Sequence, residues 1–310
     1  MRILILGAGG VGGYFGARLA AADVDVTFLV RSGRAAQLAR EGLIVLSPLG
    51  DVRLSVATLT EAKQGFEAVL LACKAYDLND AIAAIAPAVT ANTLVLPLLN
   101  GLRQLDALDA RFGRQRVLGG LCHIGVTLTE QGEVQHLNKM QHFAFGPRLS
   151  TQVERCDRMH ATLALGGFAP VLSPEIEQSM WEKFVLLASY AGMTCLMRAP
   201  VGAIVATDEG EALMREMLIQ CAAVATACGH ELSHGFLAET LAMLTQRGSL
   251  GTASMLRDIQ RAARTEHQHI LGDMLARASE AGVTAPLLRV ANAHLQAYEL
   301  ERLRQPLARS

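Results

Sequence analysis

A glycine turn near the start of the chain constrains what it can fold into more than any other stretch. Gly7-Ala8-Gly9-Gly10-Val11-Gly12 follows the apolar run Ile3-Leu4-Ile5-Leu6 and opens a segment with Val11, Phe15, Leu19 and Ala22 at helical spacing. Strand, glycine turn and helix in that order form a unit with a known physical use. The first glycine permits the tight turn, the second lets the backbone come close to a pyrophosphate, and the third lets the helix pack against the strand. The helix N-terminus then offers free N–H groups and a positive dipole end to the anion. The plain alternative is a turn that only joins a strand to a helix. The apolar strand before it and the helical pattern after it favour dinucleotide binding by Gly7, Ala8, Gly9, Gly10, Val11 and Gly12.

The second strand, Asp25 to Val30, narrows the choice of dinucleotide. An NAD site wants an acidic residue at about its end, to hold the ribose 2′-OH. This chain has Arg31 there, followed by Ser32, Gly33 and Arg34. A guanidinium and a hydroxyl suit a 2′-phosphate, which a carboxylate would repel. The expectation is NADP (NADPH), with a solvated basic loop as the bland alternative.

Bulk properties exclude several classes of function. The 310 residues suffice for two domains with real cores, and a net charge of -1 supplies no basic field for nucleic acid or anionic lipid. The six cysteines, at 73, 122, 156, 195, 221 and 228, form neither a CxxC pair nor a cluster with His at metal-binding spacing, so no metal is expected. They read as reduced thiols of a cytoplasmic protein. Residues 81 to 102 carry no charge and imitate a membrane span. Pro87, Asn92, Pro97, Asn100 and Gly101 break the stretch, which reads instead as a helix ending near Ala86 and a buried strand from Thr93 to Leu99.

Between these points the pattern predicts a hairpin over 42 to 56 turning at Pro48-Leu49-Gly50-Asp51. A parallel strand over Ala68 to Cys73 follows. Lys74 and Asn100 stand just past strands 68–73 and 93–99, where open α/β sheets bind ligands. Each has a local alternative, an exposed lysine and an Asn-Gly turn. A helix is predicted near Leu102 to Arg111, then a strand over Val117 to Cys122. Three alternating segments come next, 125 to 129, 133 to 137 and 141 to 145, the last two as a hairpin turning at Asn138-Lys139. A helix over 151 to 165 and a strand over 169 to 173 complete the first domain. After Pro174 strands disappear, and helical patterns cover 175 to 197, 210 to 228, 236 to 245, 258 to 281 and 285 to 304. The expected fold is an α/β Rossmann-type N-terminal domain over 1–174, binding NADP, with an all-α C-terminal domain over 175–310, binding substrate. A cleft at the join is the expected place for the substrate.

In the helical part, Lys183 begins fourteen residues, 184 to 197, without another charge. A lysine opening so apolar a helix is a candidate for partial burial, a lowered pKa and proton transfer; read alone, it is better taken as a surface lysine with its stem on apolar neighbours. Ser254-Met255-Leu256-Arg257-Asp258 and Arg264-Thr265-Glu266 stand out beside it. Together with the GxGxxG start, Arg31, Cys73-Lys74-Ala75-Tyr76-Asp77, Leu99-Asn100-Gly101 and Trp181-x-Lys183, these stretches make the whole chain resemble the ketopantoate reductase (2-dehydropantoate 2-reductase) family.

That resemblance implies NADPH-dependent reduction of a small 2-keto acid to a D-type 2-hydroxy acid, ketopantoate to D-pantoate in pantothenate synthesis. It assigns protonation of the keto oxygen to Lys183, assistance and a cofactor contact to Glu266, substrate contact to Ser254, orientation of cofactor and substrate to Asn100, and cofactor contacts to Arg31 and Lys74. There is a departure. The family usually carries asparagines four and eight residues after the lysine, where this chain has Leu187 and Ala191. Losing two amides weakens preference for a hydroxylated substrate, so a D-2-hydroxyacid dehydrogenase acting on apolar branched or aromatic 2-keto acids is the alternative. Tyr190 and Thr194 lie close enough on the helix to compensate. A non-catalytic NADP-binding sensor is the third reading, and keeping Lys183, Ser254 and Glu266 together argues against it. The apolar helical domain is compatible with a homodimer.

Overall fold

The computed structural model describes residues 1–304, which separate into two compact units. Unit 1 comprises Met1–Leu99 and Gln104–Glu177; unit 2 comprises Asn100–Arg103 and the chain from Gln178 onward. No helix among the described residues is long and apolar enough to cross a membrane.

Unit 1 contains β1 (Ile3–Leu6), α1 (Gly10–Ala21), β2 (Val26–Leu29), α2 (Ser32–Glu41), β3 (Leu43–Leu46), β4 (Val52–Leu54) and β5 (Ala57–Leu59). Then come β6 (Ala68–Leu71), α3 (Leu78–Ile85), β7 (Leu94–Pro97), all but the first residue of α4 (Arg103–Phe112), β8 (Gly119–Leu128), β9 (Val134–Gly146), α5 (Val153–Ala164) and β10 (Val171–Leu172). Five strands form a parallel sheet in the order β5-β2-β1-β6-β7. Strands β1, β6 and β7 are continuous apolar runs, fully or almost fully buried, as expected of parallel strands covered on both faces. The registers pair Leu6 with both Leu29 and Leu71, Leu29 with Leu59, and Leu71 with Pro97. All five strands therefore end in one line, and the loops that follow them emerge along one edge.

A second sheet, β10-β9-β3-β4 with β8 paired to β9, covers the other side of α1. Helix α1 needs its glycines to lie between two sheets. A Cβ at Gly16 would sit 2.5 Å from Phe28 Cζ and 2.7 Å from Ile5 Cδ1, on the first sheet, and one at Gly13 would sit 2.7 Å from Val134 Cγ2, on the second. Phe15 closes the remaining space, packing edge-on against Phe143 and Phe168 with ring centroids 4.9 Å apart in each case.

One expectation for this unit is corrected. The segments 133 to 137 and 141 to 145 are not a hairpin: β9 runs unbroken from Val134 to Gly146, and the turn lies before it, where Thr129 N–H bonds to Glu133 O at 2.9 Å and Gly132 adopts φ +80. Asn138-Lys139 forms a bulge instead. The β8–β9 register shifts between Ile124 and Val126, and Asn138 Oδ1 accepts from Met140 N–H at 3.0 Å, turn chemistry inside a continuing strand. The predicted 42–56 hairpin forms as β3–β4, in the second sheet. The unpredicted β5 then returns to pair with β2.

Unit 2 is helical: most of α6 (Ile176–Met197), then α7 (Val201–Ile204), α8 (Gly210–Ala227), α9 (His234–Leu244), α10 (Ser254–Gln260), α11 (Asp273–Glu280) and α12 (Pro286–Arg304). Gly192 of α6 lets Met217 of α8 approach to 3.2 Å of where a Cβ would stand. Gln220 Oε1 accepts from the N–H groups of Leu287 and Leu288 at 3.1 and 3.2 Å, capping α12 from outside its own sequence.

The helix predicted over 258 to 281 is three pieces. Helix α10 stops at Gln260. Ala262 takes a left-handed φ of +53, Ala263 N–H returns to Asp258 O at 2.8 Å, residues 263–266 are non-helical, and a π-helical turn spans Gln268–Gly272 before α11. Alanine in that backbone region is strained by about 1–3 kcal/mol, and no glycine or proline in 258–271 marks the break.

Candidate active site

In unit 1 the glycine turn follows β1 at the aligned edge. Gly7 has φ +89, which favours glycine, and its N–H bonds to Leu29 O at 2.9 Å. A Cβ on Gly7 or Gly9 would meet no protein atom within 4 Å, so the space above the turn is open. A Cβ on Gly12 would lie 2.4 Å from Gly7 O, so the turn and α1 fit only without one. Gly9 is the N-cap of α1, no side chain caps the helix, and no acidic residue stands in its first turn. An open, uncapped N-terminus without negative charge fits the pyrophosphate of a dinucleotide.

Arg31 follows β2 at the same edge. It is exposed, at the N-cap of α2, with its carbonyl accepting from Ala35 N–H at 3.0 Å. Arg34 is committed differently. Its guanidinium donates to Ala8 O inside the glycine turn at 3.0 Å and to Gln37 Oε1 at 2.7 Å, while Gln37 donates to Gln131 O in the β8–β9 turn at 2.7 Å. Burial pushes the Arg34 pKa down, with Glu41 opposing the shift. Of the two arginines, Arg31 presents its head to solvent and Arg34 braces the glycine turn. Lys74, after β6, is exposed at the start of a short 3-10 turn. Asn100 follows β7, half-buried, and is the first residue of unit 2.

In unit 2, Lys183 stands at the start of the third turn of α6 and is 7% exposed; Trp181 and Phe184, close to it in sequence, are buried as well. Trp181 stacks on His230 at 4.9 Å between ring centroids and lies under the Arg277 guanidinium at 5.4 Å. One and two turns beyond Lys183, Leu187 is half-buried and Ala191 is buried. Of the two neighbours able to compensate for the missing asparagines, Thr194 is committed: its fully buried hydroxyl donates to Tyr190 O at 2.7 Å. The Tyr190 ring is partly exposed, its hydroxyl 2.8 Å from where a Cβ on Gly251 would stand, and burial raises its pKa against the pull of Arg257.

Ser254 is exposed at the first position of α10. The N-cap is Ala253, so the serine does not serve as a cap. Glu266 is 7% exposed in the non-helical segment, and its carbonyl accepts from His269 N–H at 3.0 Å. Burial pushes the His269 pKa down and Arg103 adds to this, while the Glu266 charge pulls it up. Sequence reasoning picked out Thr265 but missed its partners: Thr265, His267 and Glu299 form one hydrogen-bonded group. No signal in a single sequence links Thr265 with a residue thirty-four positions later.

None of the six cysteines is in a disulfide, and Cys156, Cys195 and Cys221 have thiols pushed up to about 12 by burial. No three His, Cys, Asp or Glu side chains gather to hold a metal among the described residues.

Comparison with known proteins gives these features a context. The family model described as Ketopantoate reductase PanE/ApbA matches residues 3–149, and that of its C-terminal domain matches residues 175–299. A Bacillus subtilis (strain 168) protein named uncharacterized oxidoreductase YkpB is 34% identical over 97% of this chain and 100% of its own. The crystal structure of a PanE/ApbA family ketopantoate reductase from Ralstonia eutropha JMP134 superposes with a TM-score of 0.88 at 26% identity, covering 98% of this chain and 100% of the other. A D-mandelate dehydrogenase solved with NADH and anilino(oxo)acetate has the same fold, with a TM-score of 0.86 at 19% identity, covering 98% and 100% of the two chains.

Proposed function

The chain belongs to the ketopantoate reductase family of NAD(P)-dependent oxidoreductases, and on that premise we propose that it reduces a 2-keto acid to a D-2-hydroxy acid with NADPH, ketopantoate being the first substrate to consider. The observation that carries the proposal is Lys183: a lysine 7% exposed on a helix with no further charge until Arg198. A lysine is held in such a place at a desolvation cost, which a role in chemistry accounts for.

In this reading unit 1 holds the cofactor and unit 2 the keto acid. The Gly7–Gly12 turn, including Ala8, Gly10 and Val11, cradles the pyrophosphate, Arg31 takes the 2′-phosphate, and Lys74 contributes a cofactor contact. The bound nicotinamide supplies a hydride to the carbonyl carbon. Lys183 stabilises the negative charge that develops on the keto oxygen and gives that oxygen its proton. Glu266 supports the ammonium by its charge and contacts the cofactor, Ser254 contacts the substrate, and Asn100 orients cofactor and substrate.

Leu187 and Ala191 favour a second reading of the substrate, an apolar branched or aromatic 2-keto acid, because neither can hydrogen-bond a substrate hydroxyl. NADPH oxidation measured against ketopantoate and a panel of branched and aromatic 2-keto acids separates the readings. The highest kcat/KM with ketopantoate supports the first and with an apolar acid the second. Tight NADPH binding without turnover of any 2-keto acid overturns both.

A further inference from the structure

Helix α12 lies outside the groups assigned above, yet its last turns grip the segment that carries Glu266. Tyr298 Oη donates to Ala263 O at 2.8 Å. One residue on, Glu299 Oε1 accepts from both the N–H and the hydroxyl of Thr265, each at 2.7 Å, and Glu299 Oε2 accepts from Arg302 Nε at 2.9 Å. The single Thr265 hydroxyl proton is thereby committed to a carboxylate, which can only accept. Toward His267, whose Nδ1 lies 3.0 Å away, the same oxygen must accept. His267 thus carries its proton on Nδ1 and leaves Nε2 bare, buried and without a partner. Burial lowers the His267 pKa, in keeping with this neutral form, while Glu299 pulls the other way and Arg264 and His269 add to the lowering.

The grip falls where the local sequence would otherwise continue a helix. Ala262 is held left-handed, residues 263–266 are non-helical, and a π-helical turn follows. Each residue restored to an α-helix would turn the Glu266 side chain by about 100° about the axis. Tyr298 and Glu299 oppose that restoration directly, by engaging Ala263 O and both donors of Thr265.

We propose that Glu299 is a positioning residue for the keto-acid reaction: through Thr265 it fixes the backbone that aims Glu266. This rests on the reading of Glu266 as a residue of the active site. Misplacement of a catalytic group by about 1 Å reduces rate by up to about a hundredfold, so Glu299→Ala is expected to lower kcat about ten- to a hundredfold while the NADPH Kd and substrate KM move by less than about threefold. Glu299→Gln keeps an oxygen able to accept both Thr265 donors and should restore most of kcat, which a charge-only role would not allow. Thr265→Val removes the hydroxyl but keeps the N–H, giving an intermediate loss, and serves if Glu299→Ala does not fold.

The deciding measurement is the effect of Glu299→Ala in two backgrounds, wild type and Glu266→Gln, with thermal midpoints recorded for all four proteins. The expected result is a large loss of kcat in the first and a loss under about threefold in the second. An equal loss in both backgrounds, or wild-type kcat for Glu299→Ala beside a crippled Glu266→Gln, overturns the inference alone. Wild-type turnover by Glu266→Gln overturns the assignment of Glu266 and the inference with it.

Discussion

The glycines of the first turn divide into one the fold requires and one the proposed cofactor cradle requires, and alanine tells them apart. At Gly12 a Cβ would stand 2.4 Å from Gly7 O, and also 3.2 Å from Ile5 Cγ2 and 3.3 Å from Ala72 Cβ. The nearest atom is backbone, so no rotamer relieves the clash and α1 must shift; overpacking of this kind costs about 1–3 kcal/mol or more. At roughly 2–4 °C per kcal/mol for a domain of this size, Gly12→Ala should lower the thermal midpoint by about 2–12 °C. At Gly9 the same Cβ meets nothing within 4 Å, and φ is −88. Alanine is the poorer N-cap by up to about 1 kcal/mol. The reduced freedom of the unfolded chain offsets this by about 0.4–1 kcal/mol, so the midpoint should stay within a few degrees. On the proposed reading the new methyl group fills space the pyrophosphate needs, and a comparable overpacking of about 2 kcal/mol corresponds to a roughly thirtyfold rise in the NADPH Kd. Nucleotide fluorescence titration and differential scanning fluorimetry on both variants read the two quantities. A Gly9→Ala protein that binds NADPH like the wild type would refute the cradle, whatever its stability.

Other predictions concern charge and proton occupancy. Arg31→Asp should weaken NADPH far more than NADH; equal losses for both would remove Arg31 from the 2′-phosphate. Thiols raised to about 12 at Cys156, Cys195 and Cys221 are ionised to about one part in ten thousand at pH 8. Alkylation of the native protein, mapped by mass spectrometry, should therefore be confined to the half-exposed Cys73 and Cys228, and rapid labelling of Cys221 would contradict the packing around α8. Burial alone would raise the Glu299 carboxyl, but the two bonds from Thr265 and the pairing with Arg302 outweigh it and hold the pKa below the usual glutamate value. Its contribution to stability is accordingly complete above about pH 4.3 and is lost as pH falls through the lower folded value. Glu299→Gln should flatten that acid limb of the thermal midpoint, and an unchanged limb would show that the carboxylate does not titrate as described.

What the sequence disclosed was local. The strand, glycine turn and helix at 3–21 could be read because apolar runs and glycine spacing are written in adjacent residues. The rest depended on partners far along the chain. Asn138-Lys139 has turn chemistry and makes a local Asx bond, but β8 lies alongside, so the strand bulges and continues. The stretch 258–281 has helix-forming residues at the break, and bonds from Tyr298 and Glu299 override them. Arg31 and Arg34 look equivalent in sequence; only the Ala8 carbonyl distinguishes the brace from the exposed head. The uncharged run after Lys183 was compatible with its burial but read alone favoured a surface lysine, and only packing decided between them; the partners of Thr265 left no trace in its neighbours.

The central claim is that the Lys183 ammonium donates the proton in a pyridine-nucleotide-dependent reduction of a keto acid. Single-turnover NADPH oxidation by Lys183→Ala, with NADPH binding titrated on the same protein, tests it most directly. The account predicts a loss of turnover of at least about a hundredfold with NADPH binding nearly intact. Turnover equal to the wild type would contradict it.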